Sequence, residues 1–289
     1  LPFSIDPMVL YYNRDLLSSA GEAGPIVYWD EVYASATNLS KRDAAGNIIS
    51  SVVALGEAHN IPNFKDVLSL LFLQAGTPIT SFVGTGLHSQ ISNKFNLAIS
   101  PGEAALDFYT QFSNPTKVYY SWNRSLIDAQ THFTSGDSVY YLGFASELGV
   151  LRNKNPTLNF AVSSVPQSRV SGKIITFGRL RGLAISRGNT NPTAALAVAT
   201  KLVSKEVASS VSEILGLPPA RRDLLSEKST DDVLSVFYNA ALQSKGWLDP
   251  DTVLTSNIFR ETIESVTSGR ARTVEAVTKA NREVDALIK

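Results

Sequence analysis

Residues 128–149, DAQTHFTSGDSVYYLGFASELG, constrain the fold of this chain more than any other stretch. Ile127, Ala129, Gln130 and Phe133 suit one helical turn, and Gly136 is a natural left-handed stop for it. Residues 138–142 then have the Val and Tyr content of a strand. Gly143 lets the backbone turn closely, so Phe144, Ala145, Ser146 and Glu147 fall just beyond the strand's carboxyl end. Open α/β sheets bind ligands at that place, although an ordinary loop has a similar composition.

The same alternation runs along the chain. Residues 9–12 read as an extended apolar run and 15–20 as a helix stopped by Gly21. Residues 29–39 have helical spacing, and 64–75 form a strongly apolar helix ended by Gly76 and Pro78. Ser100 as cap, Pro101 at the first helical position and Glu103 in the first turn together start another helix. Residues 173–177 and 182–186 look like two strands separated by GRLRG, and Asn191 before Pro192 caps the next helix. Helices are expected at about 205–215, 231–244, 257–267 and 273–288, with breaks at Leu217-Pro218-Pro219 and at KGWLDPD, 245–251.

At 289 residues the chain is long enough for two lobes. Its 26 basic and 26 acidic residues cancel, which gives no electrostatic case for nucleic acid or an anionic membrane. No apolar run reaches the length of a membrane span. The absence of cysteine excludes disulfides, thiolate chemistry and cysteine zinc sites. The chain opens on LPFSIDPMVLYYN, without an initiator Met, a basic region or a signal-peptide core, so it reads as starting inside a longer protein.

Sequence motifs of catalysis are missing: there is no G-x-S-x-G elbow, no phosphate loop and no H-E-x-x-H. His59, His88 and His132 are scattered, without the matched spacing of metal ligands, and no metal or cofactor is expected. A glycosidase needs only two well-placed carboxylates, so an enzyme of that kind stays open as an alternative. In KVYYSWNRS, Trp122 stands beside Ser121, Asn123 and Arg124, a composition that suits either a sugar-stacking cleft lining or the edge of a core. Trp247, before LDPD, carries the same two readings.

Taken in order, DPMVLYYNRDLLSSAG, YWDEV, HFTSGDSVYYLGF, NPTLNFAVSSVPQ, GLAISRGNTNPTAALAVATKLVS and SGRARTVEAVTKANREVDALI resemble the bacterial extracellular sugar-binding proteins of ABC importers, the group that includes maltose-binding protein. That resemblance implies an α/β, two-lobed periplasmic-binding-protein-like fold with a hinge and an interlobe cleft. It implies a second lobe in residues 1–180, the remainder of a first lobe in 181–245, and carboxy-terminal helices returning to the second lobe in 246–289. The stretch that builds most of the first lobe in the family has no counterpart here, so the first lobe is expected to be incomplete, with exposed apolar faces on the 183–215 elements.

The resemblance further implies an extracytoplasmic monomer that captures a carbohydrate without chemistry and hands it to a permease complex. Membrane attachment would come only through a lipid anchor in the missing part. A binding subunit of a solute sensor would share every one of these motifs. At three of the family's stacking positions this chain departs, with Leu1, Ala145 and Ser256 in place of aromatic residues. Stacking is then expected from Trp122, Phe144 and Trp247, and polar contacts from Asp6, Ser146, Glu147, Arg179 and Arg181. Arginine's fixed fork of donors suits neutral and acidic sugars alike.

Overall fold

The computed structural model describes residues 1–169, 172–226 and 231–288. Its strands are β1 (Pro2–Asn13), β2 (Lys41–Arg42), β3 (Ile48–Val53), β4 (Thr80–Val83), β5 (Gly86–Ser89), β6 (Ser138–Phe144), β7 (Phe160–Ser163), β8 (Thr176–Gly182) and β9 (Ser244–Lys245). The helices are α1 (Arg14–Ser19), α2 (Glu31–Leu39), α3 (Phe64–Ala75), α4 (Pro101–Thr110), α5 (Ala129–Thr134), α6 (Leu148–Lys154), α7 (Pro192–Leu202), α8 (Lys205–Leu215), α9 (Arg222–Leu225), α10 (Asp232–Gln243), α11 (Thr252–Thr267) and α12 (Thr273–Leu287).

The long strand β1 organises the molecule because it changes partners along its length. Its carboxy-terminal part, Met8 to Tyr12, runs antiparallel to β6, and Leu10 to Asn13 pair with β7. Its amino-terminal part pairs instead with β8, with Asp6 opposite Arg179 and Pro7 opposite Gly178. Strand β3 lies parallel to β6, joined through the crossover that carries α3, α4 and α5, and β9 lies parallel to β8. The order in the sheet is β2-β3-β6-β1-β8-β9, with β7 added to β1.

Strand β6 is buried throughout, which explains its unbroken apolar run of Val, Tyr, Tyr, Leu and Phe. Gly143 is required by packing: a Cβ there would lie 2.6 Å from Tyr141 Cε1 and 3.1 Å from Tyr11 Cε2. The Tyr11 ring stacks on Tyr141, which stacks on Phe133, while Phe160 meets both Tyr11 and Phe133 edge-on. This aromatic chain ties β1, β6, β7 and α5 into one core with Met8, Leu10, Phe72 and Phe259.

The GRLRG segment does not separate two strands. It is the body of β8, because the extended residues Pro2 to Pro7 offer it a full ladder of backbone partners. Residues 183–186, expected to continue as a second strand, form none. Helix α11 starts at Thr252, earlier than its spacing predicts, since the Asp251 carboxylate accepts from the Val253 and Leu254 N–H groups. Sequence reading passes over β3, β7 and the β4-β5 hairpin. Helix α7 buries none of its residues: Leu196 is 53% and Val198 59% exposed, and Ile214 of α8 is 82% exposed. Among the described residues no helix is long and apolar enough to cross a membrane.

Candidate ligand cleft

The elements that meet where β1 leaves β6 for β8 enclose a cavity of about 760 Å³. Its walls come from Ile5 of β1, from Pro62 to Asp66 at the start of α3, from Phe177 to Leu180 of β8, and from Ser244 to Asp249. Thr252 and Ser256 of α11 close one side. The site therefore lies at the end of β6 and on the ladder that carries the chain out of the larger core, where a sheet's strand ends leave backbone and side chains free for a ligand.

Arg179 is the central side chain. Its guanidinium carbon lies 3.7 Å over the Phe144 ring, and its Nη2 donates to the carboxylate of Asp66 and, at 3.4 Å, to Asn63 Oδ1. Cation and ring attract through the ring's quadrupole, and burial of Phe144 against Phe177 fixes the ring from behind. Asn63 in turn donates to Glu147 Oε1 at 2.9 Å. Glu147 is saturated: Oε1 also accepts the Phe144 N–H at 2.8 Å, and Oε2 accepts from Gln130 at 2.8 Å and from the Tyr141 hydroxyl. Burial beside that carboxylate pushes the Tyr141 hydroxyl far above its ordinary value, so it stays protonated and donates to Glu147 while accepting from Asn63 Nδ2 at 3.3 Å.

Asp6 accepts from the Ser146 N–H at 3.0 Å and the Ser146 hydroxyl at 2.6 Å. Burial nevertheless raises its carboxyl above the ordinary 3.8, against the lowering effect of Ser146 and Arg179. Asp66 is raised for the same first reason, desolvation, with Arg179 opposing it. Farther along the cavity, Lys65 Nζ donates to Asp249, to Thr255 Oγ1 at 2.7 Å and to the Thr252 carbonyl. It also sits 5.4 Å from the Trp247 ring centre. Trp247 stacks flat on Phe259 at 5.9 Å and donates its indole N–H to Ser69.

The expected site residues are thus divided. Asp6, Phe144, Ser146, Glu147 and Arg179 come together in one network, and Trp247 lines the cavity. Arg181 is exposed two residues farther along β8. Trp122 is in none of this: it is fully buried, donates its indole N–H to Asn60 Oδ1 at 3.0 Å and meets His132 edge-on. Its reading as a stacking surface is corrected to core, because the polar neighbours that suggested a cleft satisfy one another. Asn123, for example, accepts the Ser125 N–H and donates to the Tyr120 hydroxyl. Phe144 is fully buried as well, and what it offers a ligand is the guanidinium that covers it.

Asn63, Lys65, Asp66 and Asp249 were missed. The only local signal was a Pro-Asn turn and two charges opening an apolar helix, which a solvated helix start would also show. Among the described residues no group of His, Cys, Asp or Glu could hold a metal ion.

A sequence model of the family described as bacterial extracellular solute-binding protein matches residues 1–235. No curated protein sequence matches the chain. Among solved structures, a cyclo/maltodextrin-binding protein complexed with maltotetraose is similar, with a TM-score of 0.76 at 16% identity over 99% of this chain and 69% of that one. A cyclic α-maltosyl-1,6-maltose binding protein from Arthrobacter globiformis has a TM-score of 0.73 at 18% identity, over 99% of this chain and 71% of that one. An ABC transporter solute-binding protein from Thermotoga lettingae, bound with α-D-tagatose, has a TM-score of 0.69 at 18% identity, over 100% and 72%. With a family match over most of its length and the fold of two-lobed binding proteins, the chain belongs to the bacterial extracellular solute-binding proteins.

Proposed function

We propose that this protein captures a carbohydrate in the cleft around Arg179 and Trp247 and delivers it to an ABC permease complex without chemical change. The observation that carries the reading is the cavity of about 760 Å³, a size that suits a small saccharide, with one aromatic edge at Trp247 and a guanidinium laid on Phe144. Sugars need apolar faces for their C–H surfaces and fixed polar partners for their hydroxyls, and this wall supplies both. The sugars bound by the similar proteins, maltotetraose and tagatose, agree with it.

In this reading residues 1–180 and 246–289 form one lobe and 181–245 belong to the other. The β1-β8 ladder and the β9 crossing form the hinge between them. Closure would shift the population toward a form that the permease recognises, by as much as the ligand prefers the closed state. The enzyme alternative loses support from Glu147: a general acid needs an oxygen free to reach the glycosidic bond, and both of its oxygens already accept two donors each.

Calorimetric titration with a panel of mono- and oligosaccharides, repeated on Trp247→Ala, tests the proposal. Saturable binding weakened by the substitution, with the sugar recovered intact, is the expected result. Silence across the panel, or a hydrolysed product, overturns it.

A further inference from the structure

We infer that the cleft selects an acidic saccharide, one that carries a ring carboxylate, over its neutral counterpart; the inference rests on the sugar-binding reading above. It follows from an account of which donors and acceptors on the cleft wall are already used. The acceptors are largely taken. In the network behind Arg179, outside the cavity lining, Asp6 uses both oxygens on Ser146, and Glu147 uses both on four protein donors. Asp249 accepts from Lys65 and Thr255, and Asp66 holds Arg179.

The cationic donors are not taken to the same degree. Arg179 directs only Nη2 to its protein partners, and its side chain is 48% exposed, so the Nε and Nη1 N–H groups remain for a ligand. Arg181 follows two residues later, which places it on the same face of β8, opposite Ser4 as Arg179 is opposite Asp6. It is exposed and has no carboxylate partner among the described residues. Lys245, on the cavity wall, is likewise exposed and without one.

A neutral sugar hydroxyl both donates and accepts, so a wall whose carboxylates are already paired to protein donors offers its protons few charged partners. A carboxylate only accepts, and its charge matches the donors that are left. Phe144 beneath Arg179 keeps water from one face of the guanidinium, which strengthens a charge-assisted bond on the other.

The test is calorimetric titration of the full chain with matched pairs that differ only at C6: galacturonate with galactose, glucuronate with glucose, and the corresponding short oligomers. Each is run at low and at physiological salt, on the parent and on Arg181→Gln. The acidic member is expected to bind at least about tenfold more tightly, with an affinity that falls as salt rises. Arg181→Gln should remove most of that preference. A neutral sugar that binds as tightly as its acid, or a preference unaffected by salt and by Arg181→Gln, overturns the inference and leaves the sugar-binding reading standing. Binding by no member of any pair, in a sample that unfolds cooperatively, overturns both.

Discussion

The Arg179 guanidinium lies 3.7 Å over the Phe144 ring at the end of β6. A planar cation backed by an aromatic ring presents a flat face and several donors at once. Lysine keeps the charge and loses the plane and the fork. Arg179→Lys is therefore expected to weaken ligand binding about tenfold, a change of roughly 1.4 kcal/mol. With its side chain half exposed, the same substitution should leave the thermal midpoint nearly unchanged, and calorimetry beside a melting curve separates the two effects.

Trp122 should behave as a core residue. Trp122→Ala removes a fully buried ring and leaves Asn60 Oδ1 without its indole donor, so a loss of roughly 3–5 kcal/mol of stability is expected. Denaturant unfolding measures it. A Trp122→Ala protein of unchanged midpoint that no longer binds ligand would instead return Trp122 to the cleft.

The carboxyls of Asp6 and Asp66 give an unusual pH signature. Both are pushed above the ordinary 3.8, chiefly by burial. Between 3.8 and the higher native value the folded protein keeps a proton that the unfolded chain has released. The stability from such a group is complete below 3.8 and declines as pH rises through the native value. The stability of Asp6→Asn relative to the parent should accordingly improve as pH rises from below 3.8 to neutrality, read from urea midpoints across that range. A difference that is flat or that runs the other way removes burial as the dominant cause.

Gly143 tests the packing of β6. Because a Cβ would stand 2.6 Å from a Tyr141 ring carbon, Gly143→Ala must push apart the Tyr11 and Tyr141 rings. An overpacking cost of roughly 1–3 kcal/mol is expected. The Tyr141 hydroxyl would shift with its ring, so its bond to Glu147, and with it the Asn63 and Arg179 positions, should loosen. A crystal structure of the variant shows whether the whole network moves.

Much of this protein was legible from local pattern. Ser100, Pro101 and Glu103 start α4 as their spacing implies, with the Ser100 hydroxyl accepting the Glu103 N–H at 3.0 Å. Gly76 ends α3 and Gly136 follows α5 in left-handed conformations, and α8 covers the residues its periodicity predicts. These features depend on neighbours within about four positions, where backbone sterics and capping act, so the sequence alone determines them. The same is true of β6 and of the turn that carries Phe144, Ser146 and Glu147.

Tertiary structure decided the rest. GRLRG is a strand only because Pro2 to Pro7, more than 170 positions earlier, supply its hydrogen-bond partners. Nothing near Trp122 says that Asn60 will take its indole proton, and nothing near Lys65 says that Asp249 will face it across 184 positions. Asp66 reads as a solvated charge at a helix start until β8 brings Arg179 to it. An isolated polar side chain has one intrinsic preference, to find a partner or water, and the sequence does not rank the distant candidates. The chain's own residues thus settled its class and the helices and turns that depend on near neighbours. The cleft exists because β1 exchanges β6 for β8 in mid-strand, and only the folded backbone brings those two edges to one place.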